Sequence, residues 1–121
     1  MKHKTIRNHK DFFAAPSDAN GFVVRTDCFV VNTKSANESG DGRYGVVVTK
    51  KTFKLAVQRN RAKRLLRDWI AFNEDLMLPD LDYILIARAS VLNCTRDEGR
   101  EKMHKAFKEI ARLYNTNVKH R

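Results

Sequence analysis

Acid is missing where the chain is most basic. From Gly42 to Arg67 there is no Asp or Glu, while nine Lys or Arg residues stand there: Arg43, Lys50, Lys51, Lys54, Arg59, Arg61, Lys63, Arg64 and Arg67. A merely solvated helix face is mixed in sign, with Glu placed to support Lys, so this stretch is not an ordinary surface. Long apolar runs are also missing. Nothing approaches the roughly 18 residues that cross a bilayer, and the start, MKHKTIRNHK, has no apolar core of the kind a secretory signal needs. The expectation is a cytoplasmic protein with no membrane association.

Cysteine is scarce. Cys28 and Cys94 stand far apart with no CxxC, and His3, His9, His104 and His120 are scattered, which argues against a zinc site and for two buried or semi-buried thiols in a reducing compartment. No phosphate-cradling glycine loop, no nucleophile motif and no acid cluster at metal spacing occurs. Asp80 and Asp82 follow Pro79 ahead of a strand and read as turn residues. The chain therefore brings no catalytic constellation of its own.

What it does bring is charge. With 24 Lys and Arg against 14 Asp and Glu in 121 residues, the net charge is +10, the footprint of a nucleic-acid binder. The length and 42% apolar content suit one domain over 1–121, with 1–7 and 116–121 as flexible ends.

The centre of the pattern is RNRAKRLLR, Arg59 to Arg67. At about 100° per residue, Ala62, Leu65, Leu66, Trp69, Phe72 and Asn73 share one side, and Asn60, Lys63, Arg64 and Arg67 the other, with Arg59 and Arg61 on the flanks. Arg59, Lys63 and Arg67 follow at i, i+4, where like charges repel by about 0.2 to 0.5 kcal/mol per pair. A polyanion relieves that repulsion.

The other elements follow from local signals. A helix is expected from Asn8 as N-cap, through Asp11, Phe12 and Phe13, to a stop at Pro16. Strands are expected over Phe22–Thr26, Cys28–Lys34, Tyr44–Lys51 and Tyr83–Ala89, with a polar loop over Ser35–Arg43. The basic helix should start between Thr52 and Leu55 and end at Phe72 or Asn73. Thr95 and Glu98 form a capping box that opens a last helix, whose stripe Met103, Ala106, Phe107, Ile110, Ala111 and Tyr114 faces the core.

RNRAKRLLR, preceded by GVVVTKK (Gly45 to Lys51) and followed by DYILIAR (Asp82 to Arg88), resembles the bacterial ribonuclease P protein subunit, over roughly Asn8 to Tyr114. The resemblance implies an α+β fold, an αβββαβα two-layer sandwich with a central, mostly antiparallel four-stranded sheet and a left-handed β-α-β crossover. It implies the protein component of a ribonucleoprotein that removes the 5′ leader from precursor tRNA, the RNA subunit performing the chemistry and holding most of the required Mg²⁺. The protein's part is to bind, to lower the metal requirement and to broaden substrate use. The partners implied are the catalytic RNA and precursor tRNA, with no obligate protein partner. Lys50, Lys51, Arg59, Asn60, Arg61, Lys63, Arg64 and Arg67 are the expected contacts to the catalytic RNA, and Phe12, Phe29, Tyr44 and Arg88 those to the leader. Pro16 and Asn32 stand where many members of the family carry aromatic residues. Two other classes fit the composition: a ribosome-associated RNA-binding protein, and a metal-dependent nuclease acting alone.

Overall fold

The computed structural model describes residues 4–5, 21–36 and 42–119. Its elements are β1 (Lys4–Thr5), β2 (Val23–Arg25), β3 (Phe29–Ser35), β4 (Arg43–Val47), α1 (Ala56–Phe72), β5 (Leu81–Ala87) and α2 (Arg96–Lys119). Short 3-10 turns, Glu74–Leu76 and Ala89–Asn93, flank β5. The helix expected from Asn8, with Phe12 and Phe13, lies outside the described residues.

The α+β class holds. The sheet order is β1-β4-β5-β3-β2; β4 runs parallel to β1 and to β5, while β3 is antiparallel to β5 and to β2. The sheet is thus mixed, with a two-residue strand added at its edge. The parallel neighbours β4 and β5 are joined through α1, as a parallel pair requires a crossover. The third expected strand ends at Val47, earlier than Lys51, because a turn intervenes before the helix. α2 continues through Lys119, so the expected flexible end at 116 is helical for most of its length.

Register decides which side chains are inside. Phe29 lies opposite Ala87, Val31 opposite Leu85 and Thr33 opposite Tyr83, while Tyr44 also meets Tyr83 across β4 and β5. Opposed residues share a face, and this is the face covered by the helices. Phe29 packs on Trp69 of α1 with ring centroids 6.1 Å apart, and Tyr83 meets Phe107 of α2 edge-on at 5.1 Å. Burial pushes the Tyr83 hydroxyl up to about 12, and that oxygen accepts the Leu78 amide at 2.8 Å.

α1 and α2 are locked together. A Cβ on Gly99 would stand 1.9 Å from Trp69 Cε2, so the backbone of α2 rests directly on the indole. Asn73 ends α1 by donating Nδ2 to the carbonyls of Trp69 and Arg100, both at 3.0 Å. The expected capping box is present at the start of α2, Thr95 Oγ1 accepting from the Glu98 amide and Glu98 Oε1 from the Thr95 amide, each at 3.1 Å. The hydrogen bonds from Thr95 hold the Glu98 carboxyl below its usual range.

Two expectations are corrected here. Asp82 is no turn residue: it sits fully buried on β5, its Oδ2 2.8 Å from Arg43 Nη2 and its Oδ1 accepting the Arg43 amide at 2.9 Å. Cys28 is buried and Cys94 half-buried, as expected, but they are not free thiols. The chain turns at the start of β3 and after the second 3-10 turn bring them together as a disulfide, with sulfurs 2.13 Å apart.

Candidate nucleic-acid interface

The approach to α1 is a built turn. Thr49 Oγ1 accepts the Thr52 amide at 3.3 Å, the Phe53 amide donates to the Thr49 carbonyl at 3.0 Å, and Phe53 itself is buried. Lys50 and Lys51 ride at the exposed tip of that turn, anchored by the Phe53 ring. They lie beyond the strand and lead into the helix.

Arg59 has a second task. Its Nη1 donates to the carbonyls of Phe53 at 2.9 Å and Lys54 at 3.2 Å, tying the lysine-bearing turn to the first part of α1. It is half-buried, and these two bonds give it the added role of bracing the turn. Asn60, Arg61, Arg64 and Arg67 are exposed and Lys63 is half-buried. α1 buries Ala62, Leu66, Trp69 and Ile70 on the other side. Phe72, expected on the apolar side, is 61% exposed, because Ile70 and Asn73 take the places against the core and Arg100 lies over the Phe72 ring at 4.3 Å.

Several carboxylates are engaged elsewhere. Asp68 holds Arg100 through two bonds of 3.1 Å, Asp27 holds Lys102 at 2.9 Å, Glu101 holds Lys105 at 3.4 Å, and Glu109 holds Arg112. Among the described residues, none of Lys50, Lys51, Arg59, Arg61, Lys63, Arg64 or Arg67 meets a carboxylate within 4.0 Å. α1 also has no acid in its first turn, so the positive end of the helix dipole adds to the charge of the side chains. The face repels itself and presents planar donors that match phosphate.

The aromatic part of the expected site is different. Phe29 is fully buried and Tyr44 is 8% exposed, so neither offers a ring to a base. Strand parity is the reason: both point into the helix-covered face. The opposite face carries Val30, Asn32, Ile84 and Ile86. Arg88 is exposed just beyond β5, its amide held by the Cys28 carbonyl at 2.9 Å. Phe12 lies outside the described residues. Among the described residues no three His, Cys, Asp or Glu side chains gather to hold a metal ion, and no helix is long and apolar enough to cross a membrane.

The family model described as Ribonuclease P matches residues 1–111. The chain belongs to the ribonuclease P protein family. The ribonuclease P protein component of a Pseudomonas putida strain is 43% identical over 110 residues, covering 89% of this chain and 77% of that protein. The component from Lactobacillus delbrueckii subsp. bulgaricus is 32% identical over 102 residues, covering 84% and 83%. The solved Staphylococcus aureus RNase P protein shares the fold with a TM-score of 0.66 at 26% identity, covering 93% of this chain and 96% of that one. As a protein component of ribonuclease P, an endoribonuclease, the chain works with ribonuclease P RNA. A ribosome-associated role finds no support among these relatives.

Sequence reasoning missed Arg96. It lines one groove with Arg61, Arg64, Leu65 and Asp68, and no local pattern marks it, since it comes from the other helix.

Proposed function

We propose that this protein is the non-catalytic part of a ribonuclease P that removes the 5′ leader from precursor tRNA in the cytoplasm. The observation that carries this is the cationic face of α1, with Lys50 and Lys51 ahead of it, which meets no carboxylate among the described residues. Neutralising phosphates of the catalytic RNA relieves the repulsion along that face and lowers the RNA's demand for metal ions. The Mg²⁺ that the holoenzyme requires would be held mainly by the RNA, where it would activate water for attack on the phosphodiester. Leader binding rests on Phe12 and Arg88, stacking and charge holding a single strand without base reading and so broadening substrate use.

The test is reconstitution from two components at low Mg²⁺. Cleavage at the 5′ end should appear only when the chain and its cognate catalytic RNA are both present. Cleavage by the protein with Mg²⁺ alone refutes the non-catalytic role, and cleavage by the RNA unaffected by the protein refutes the binding role. A need for a further protein refutes the two-component reading.

A further inference from the structure

We propose that the groove between α1 and the start of α2 is an RNA phosphate site in which Arg96 joins Arg61 and Arg64 on one strand of the catalytic RNA. The inference rests on the function proposed above and extends its interface from one helix to two.

Three guanidinium groups from two elements line this groove: Arg61 and Arg64 from α1 and Arg96 from α2. All three residues are exposed and, among the described residues, none meets a carboxylate within 4.0 Å. The one acid on the groove wall, Asp68, is gripped by both Nε and Nη2 of Arg100 at 3.1 Å, so its charge is answered from α2 and not by the groove arginines. The site therefore stays strongly positive. Its wall has no aromatic ring, only the half-buried Leu65, which suits a sugar-phosphate chain and not a stacked base.

The geometry is fixed before any ligand arrives. The contact of Gly99 on Trp69 and the Asn73 bond to the Arg100 carbonyl hold α1 and α2 in one relative position, so Arg96 is presented beside Arg61 and Arg64 by the core packing. Preorganised guanidinium forks lose less freedom on binding phosphate. Because Arg61 and Arg64 also belong to the α1 face, a strand lying on that face continues into the groove, which assigns the groove to the catalytic RNA and not to the precursor.

The test uses the full chain, its cognate catalytic RNA and binding measured across salt. Arg96→Gln should lower the slope of log affinity against log salt by about one unit, and Arg96→Lys should keep most of it. Lys108→Gln makes the same charge change about 18 Å further along α2, at 1.5 Å per residue, and should leave the slope as in the wild type. The double variant Arg64→Gln/Arg96→Gln should lose less than the sum of the two, as expected of partners on one strand. An unchanged slope for Arg96→Gln, or a loss matched by Lys108→Gln, overturns the proposal. So does a loss confined to precursor tRNA with catalytic-RNA binding intact. If the wild-type chain itself binds the catalytic RNA without salt dependence, the function reading fails, and the groove with it.

Discussion

Arg43 belongs to the run of nine cations, yet its guanidinium is engaged with the fully buried Asp82, 2.8 Å away, and its own side chain is only 18% exposed. Replacing it with Met keeps much of the stem and removes the charge. A buried pair broken on one side costs about 3 to 5 kcal/mol, because the remaining charge is left uncompensated. Here the Arg43 amide still donates to Asp82 Oδ1, which places Arg43→Met toward the lower end, about 3 kcal/mol. For a domain of this size that is a fall in melting midpoint of about 10 °C. Thermal unfolding followed by circular dichroism reads it directly. Arg43→Met/Asp82→Asn should recover part of the loss, since the neutral amide no longer needs a counter-charge. The salt slope for catalytic-RNA binding, measured well below the variant's melting point, should equal that of the wild type. A midpoint within about 2 °C of wild type would show a solvated pair that contributes little. A slope reduced by one unit would return Arg43 to the RNA interface.

Arg64→Ala should reduce the salt slope by about one unit from a wild-type value of roughly −4 to −5.5, if about six cations meet phosphate; an unchanged slope removes Arg64 from the contact. Gly99→Ala drives a methyl into the Trp69 ring and should lower stability by about 1 to 3 kcal/mol in a denaturant titration, the usual cost of overpacking; a wild-type midpoint would mean the two helices separate easily. The hydrogen bond from Lys102 holds the Asp27 carboxyl below its usual range, so its contribution to stability is full above the ordinary carboxylate pKa and disappears as the pH falls through the lowered value. Asp27→Asn should accordingly make the low-pH end of a melting series less steep, and an unchanged series refutes the pair. Phe12→Ala should weaken precursor tRNA more than mature tRNA in holoenzyme binding, whereas equal losses would make Phe12 a packing residue.

Local periodicity determined the parts of this protein whose cause lies within a few residues. The apolar stripe of α2, its Thr95–Glu98 cap, the basic helix and the apolar strand β5 all depend on neighbours within a turn or a pleat, so the chain order alone carries them. The fate of individual charges and rings was decided by register between distant segments. Arg43 became the counter-ion of a buried carboxylate because β4 lies beside β5 and brings it to Asp82. Strand parity placed Phe29 and Tyr44 against the helices, where a shift of one residue would have put them on the other face. Arg59 turned back to the carbonyls of Phe53 and Lys54, and Arg96 came to the groove of Arg61 and Arg64 only because α2 docks on Trp69 through Gly99. A helix can be read from its own spacing, but the partner of a side chain is set by whichever surface the fold brings to it.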